Sequence, residues 1–187
     1  MFGQNKPRSY AIWAIPDKDD ERALHEAMGA VGAAFPPHVT ILRPSGPLSS
    51  DPERMVDLVH RAMDATMLQR AVVEPDVGGE GGSKPADAPM SESDTQAVLC
   101  PVDPRSAASL VAMRTALCQI SGDEALPYAP HMTLLYGDLP QQQRQAAAAA
   151  AASALEWPRS VTVSEVAVAA TDGAPNSWEI VSRIKLQ

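Results

Sequence analysis

One pattern occurs twice in this chain. Pro37-His38-Val39-Thr40-Ile41-Leu42 is matched far downstream by Pro130-His131-Met132-Thr133-Leu134-Leu135, so Pro-His-apolar-Thr-apolar-Leu appears in both halves. In an extended strand, residues two apart share a face. Each copy therefore sets one imidazole and one hydroxyl on one side, with Val39 and Ile41, or Met132 and Leu134, on the other. A fold that uses this repetition must bring the two strands side by side.

The segments around the motifs repeat as well. Ser9 to Ile15 reads as a buried strand ended by Pro16, and Asp17 as the cap of a helix to about Ala33 with an acidic first turn. After the first motif strand, Asp51-Pro52 starts a helix to about Leu68, and Ala71 to Glu74 reads as extended. Gln96 to Val102 is a strand, and Asp103-Pro104 starts a helix to about Ile120. After the second motif strand, Pro140 opens a helix through the alanine run, which alanine's helix propensity favours. Two alternating strands follow, Ser160 to Ala170 and Ser177 to Leu186, joined by Asp172-Gly173-Ala174-Pro175-Asn176. Strand, helix, motif strand, helix, strand thus recurs on both sides of a Gly/Pro-rich stretch, 77–94, which reads as a long mobile loop. The expectation is an α+β chain in one domain, 1–187, with a lobe at about 9–76 and a second at about 95–187.

Composition narrows the function. With 15 basic and 23 acidic residues the net charge is -8, which argues against a general nucleic-acid groove and leaves room for a small anion. Two cysteines suit a reducing compartment, no apolar run reaches membrane-spanning length, and the N-terminus lacks the apolar core of a signal peptide. A cytoplasmic monomer without membrane or long nucleic-acid partners is expected. No clustered His or carboxylate set, P-loop or Gly-x-Ser-x-Gly elbow accompanies the repeated pattern, so neither metal nor cofactor is expected.

Imidazole titrates near neutrality, so of two such groups one can take a proton while the other gives one. Placed on opposite sides of a phosphorus centre, they suit in-line displacement, with Thr40 and Thr133 donating to the non-bridging oxygens. His131 is favoured as the base and His38 as the acid, although the symmetry of the pattern leaves the assignment open. Trp13 is either a stacking platform for a nucleobase or core packing beside Ile12 and Ile15. Arg43 is either a solvated loop residue or a contact to a second phosphate. Tyr136 has the opposite strand parity to His131 and Thr133, which points it away from them, and Tyr128 is its neighbouring alternative. His25 and His60 fall on helices without hydroxyl partners and read as surface residues.

With these residues in view, the chain resembles the 2H phosphoesterase superfamily. Ser9 to Pro16, Phe35-Pro36-Pro37-His38-Val39-Thr40 and Pro130 to Leu139 look like its cyclic phosphodiesterase branch from plants and fungi. The resemblance implies a bilobal fold: two pseudo-twofold-related lobes of antiparallel sheet, outer helices and a central cleft. It implies hydrolysis of nucleoside 2',3'-cyclic phosphates, and of ADP-ribose 1'',2''-cyclic phosphate, by His38, Thr40, His131 and Thr133, with Tyr136 at the base pocket. The family's second motif often carries Ser where this chain has Thr133, and plant members use disulfides that two cysteines cannot fully reproduce. Two other expectations compete: a phosphodiesterase of RNA ends of the 2'-5' ligase type, and a module that binds nucleotides without turning them over.

Overall fold

A computed structural model describes residues 8–73, 96–103, 105–156 and 159–187. The stretch 77–94, expected to be a mobile loop, lies outside the described residues, as does Pro104.

The elements follow from local chemistry. Strand β1 (Tyr10–Pro16) leads into helix α1 (Lys18–Ala30), whose cap Asp17 accepts from the amides of Asp19 and Asp20. Strand β2 (Val39–Leu42) holds the first Thr, with His38 immediately before it. Helix α2 (Pro52–Thr66) has Asp51 as its cap, accepting from Arg54 N–H, and stops at Met67, which adopts a left-handed conformation with φ 49°. Strands β3 (Ala71–Val73) and β4 (Gln96–Pro101) precede helix α3 (Ala108–Ser121). Asp103 accepts from the amides of Arg105 and Ser106 as expected of a cap, but it closes a turn, and regular α-helix begins only at Ala108. Strand β5 (His131–Tyr136), helix α4 (Gln141–Ala154), strand β6 (Val161–Ala170), a short 3-10 turn (Pro175–Ser177) and strand β7 (Glu179–Lys185) complete the order. No helix among the described residues is long and apolar enough to cross a membrane.

Among the described residues, seven strands join one antiparallel sheet in the order β3-β6-β1-β2-β5-β4, with β7 on β6. The two motif strands are neighbours at its middle, registered at Val39 opposite Met132. Sequence order assigns β6 and β7 to the second lobe. Hydrogen bonding instead sets β6 between β1 and β3 of the first half.

The sheet has two unlike faces. Ile12, Ala14, Val39, Ile41, Met132 and Leu134 pack against apolar residues of all four helices, among them Met28, Met55, Leu117 and Ala151. This is the main core. On the opposite face a smaller cluster joins Ala11, Trp13, Ile15, Ala167, Ala169 and Trp178. Ala167 is the direct cross-strand partner of Trp13, a small residue that leaves the indole its space. In β6 the core-facing set changes parity from Val161 and Val163 to Val166 and Val168. The register slips there, between Ile15 and Pro16 of the partner strand, as a bulge requires.

Candidate active site

The second face is where the repeated pattern meets. In an antiparallel pair, directly opposite residues point to the same side. One step either way from Val39 and Met132, His38 lies opposite Thr133 and Thr40 opposite His131. All four side chains thus share one face, in a diagonal pairing of each imidazole with the other strand's hydroxyl. Carrying the same register further sets Phe35 opposite Tyr136, and their rings do meet, at 5.1 Å between centroids.

Both histidines are held alike. His38 Nδ1 lies 2.6 Å from the carbonyl oxygen of Pro36, and His131 Nδ1 lies 3.0 Å from that of Ala129. A carbonyl only accepts, so each Nδ1 carries the hydrogen and each Nε2 is left to carry or take a proton. The proline before each histidine explains the repeated geometry. It fixes its own φ and keeps the residue before it extended, so the carbonyl two residues back returns to the ring.

The surroundings of the two rings differ. His38 is 2% exposed and stacks on Trp13, with centroids 3.7 Å apart and planes 13° apart. Phe35 and Trp178 meet it edge-on at 6.1 Å each. Burial pushes the His38 pKa down to about 4. The bond to Pro36 opposes this shift, and repulsion from Arg43 and His131 adds to it. His38 is therefore neutral at pH 7. His131 and Thr40 are partly exposed, whereas Thr133 is buried, so the face opens on the side of His131 and Thr40.

The remaining candidates take definite places. Trp13 is fully buried and supports the imidazole of His38, which removes it as an open stacking platform. Tyr136 does not point away as strand parity suggested. It is partly buried at the strand's end against Phe35 and Trp178, at 5.1 and 5.2 Å. Before it, the ladder between β4 and β5 slips at Val98, which breaks simple alternation. Arg43 is exposed, and its guanidinium lies over the Trp178 ring at 5.6 Å. Tyr128 is half-buried and donates to the Thr40 carbonyl. His25 and His60 are exposed on α1 and α2.

Trp178 and Phe35 are the residues that sequence reasoning missed. Trp178 comes from the turn between β6 and β7, and only the placement of β6 beside β1 brings it over His38. Phe35 stands three residues before His38, at a spacing that carries no periodic signal.

A family model described as the 2'-5' RNA ligase superfamily matches residues 30–175. Among solved structures, the chain is similar to LigT of E. coli complexed with 3'-AMP, at 13% identity and a TM-score of 0.50, covering 97% of this chain and 99% of that one. A structure described as a phosphoesterase matches at the same identity, coverage and TM-score. No curated protein matches the sequence. The structural likeness extends to the fold: an antiparallel sheet with helices in an α+β arrangement.

Proposed function

The chain belongs to the 2'-5' RNA ligase superfamily, and on that premise we propose that it hydrolyses small 2',3'-cyclic phosphates. Nucleoside 2',3'-cyclic phosphates are the first substrates to test, with ADP-ribose 1'',2''-cyclic phosphate beside them. The observation that carries the reading is the pair of Nδ1-anchored imidazoles, each opposite a threonine on one sheet face. Binding alone needs no such acid and base.

In this mechanism the cyclic phosphate lies between the two histidines. His38, kept neutral by its burial, takes a proton on Nε2 from water as the water oxygen attacks phosphorus. His131, on the open side, gives its Nε2 proton to the ribose oxygen as the phosphorus–oxygen bond breaks. The product is a monophosphate. Thr40 and Thr133 donate to the non-bridging oxygens, where negative charge gathers. The roles reverse the assignment favoured by sequence alone, and the reason is physical: a buried ring beside a guanidinium and a second imidazole holds no proton at neutral pH.

The test is incubation with each nucleoside 2',3'-cyclic phosphate in the presence of EDTA, with identification of the monophosphate isomer. Turnover is expected with chelator present, and the isomer identifies the leaving oxygen. Absence of turnover on every cyclic phosphate, with tight nucleotide binding retained, overturns the reading in favour of a binding module. The family description supports a second reading, action on an RNA end. The net charge of -8 weighs against it, because phosphate contacts along a strand need a basic track. An oligonucleotide ending in a 2',3'-cyclic phosphate, processed faster than the mononucleotide with steep salt dependence, would favour that reading.

A further inference from the structure

The ladder joining the two motif strands is registered at a single pair, Val39 and Met132. Side chains supply further ties. The Tyr128 hydroxyl donates to the carbonyl oxygen of Thr40 at 2.8 Å, from the segment just before β5. Arg114, on α3, donates from its guanidinium to the carbonyl oxygen of Ile41 at 2.7 Å, and its Cζ lies 4.8 Å from the centre of the Tyr128 ring. Two consecutive carbonyls of β2 are thus held by one stacked pair of side chains. Tyr128 stands three residues before His131, whose ring is anchored on Ala129 between them. The contact to Thr40 therefore spans from one His-Thr pair to the other. Both groups are well placed to act on backbone geometry: the ring is half-buried, and a planar guanidinium stacks on it while it donates.

We propose that Tyr128 and Arg114 are positioning residues that fix the distance between the Thr40 hydroxyl and the His131 imidazole. The inference rests on the hydrolytic reading for its activity assay, and neither residue touches the reacting atoms. Tyr128→Phe keeps the ring and removes only the donor. It is expected to lower kcat by roughly 10- to 100-fold, the scale on which small misplacements act, with KM changed less than twofold. Arg114→Lys, which keeps the charge but loses the planar stack, falls between the parent and Arg114→Ala.

A double-mutant cycle separates positioning from mere support. If Tyr128 acts through Thr40, Tyr128→Phe has little further effect on kcat in a Thr40→Ala background. Equal effects of Tyr128→Phe in both backgrounds overturn the proposal. So does an unchanged kcat in Tyr128→Phe while the parent turns over. Should the parent hydrolyse no cyclic phosphate, the hydrolytic reading fails and the positioning claim is read from NMR of the ligand-free chain. Tyr128→Phe must then shift the Thr40 amide and the His131 ring resonances together while leaving α1 and β6 unmoved. Unmoved Thr40 and His131 resonances overturn it independently of any turnover.

Discussion

At the scale of single residues, the two histidines share an anchor and differ in surroundings. Each Nδ1 is committed to a carbonyl two residues back; substitution removes a proton-transfer group and, at His38, also the ring that Trp13, Phe35 and Trp178 pack against. His38→Ala and His131→Ala should each lower kcat by about 10²–10⁴-fold. Circular dichroism should remain that of the parent, and unchanged turnover in both variants would sink the two-histidine mechanism. The pH profile discriminates further. The acidic limb of kcat/KM reports the free protein, and a base that titrates at about 4 places that limb near pH 4. Trp178 covers His38 edge-on, so Trp178→Ala readmits water to the imidazole and should move the limb upward, towards the ordinary value of 6.5. A limb that stays put in Trp178→Ala would mean that other neighbours set the proton affinity of His38.

At the scale of elements, the repeated pattern already contains most of what the site needs. Strand alternation alone separates His38 and Thr40 from Val39 and Ile41, and the structure divides them between the same two faces. The caps Asp17 and Asp51 were likewise legible, because a short acidic side chain before a helix has one local use. The place of β6 was not, because strand order is decided by pairing between distant segments, which no local period encodes. Simple alternation fails at Tyr136 for a related reason: it assumes an even pleat, and β5 pairs with β4 through register slips. One consequence of the β6 placement can be tested. Asp20, buried on α1, accepts from Arg159 Nε and from its terminal nitrogen, and also from Thr162 N–H at the start of β6. Asp20→Ala orphans that amide and should cost about 1–3 kcal/mol in urea unfolding, while Asp20→Asn, which keeps an acceptor, should cost less. Equal losses in both would show that charge, and not the bond to β6, is what matters.

At the scale of the whole molecule, the sheet divides its labour between faces. One face is a continuous apolar core under four helices, and the other holds a small aromatic cluster built around a titratable ring. This arrangement couples folding to pH. Unfolded, His38 regains its ordinary value of 6.5, and folded it titrates at about 4. Between these values the unfolded chain binds more protons than the folded one, so stability rises with pH across that window. Well above pH 6.5 neither state is protonated at His38 and the residue contributes no slope. As pH falls from 6.5 to 4 the ligand-free protein should lose roughly 3 kcal/mol through this group alone, at about 1.4 kcal/mol per unit. Below 4 the loss levels off. Carboxylates titrate nearby and add slopes of their own: burial works against the charge of Asp123, yet bonds from Ser45 and Ser121 outweigh it and hold its pKa below the usual value. The measurement is therefore a difference. Urea unfolding at a series of pH values should show the parent losing more stability than His38→Ala between pH 6.5 and 4, with the two curves parallel well above 6.5. Parallel curves throughout would mean that His38 is already solvated in the folded chain, and the neutral base assigned to it would lose its physical cause.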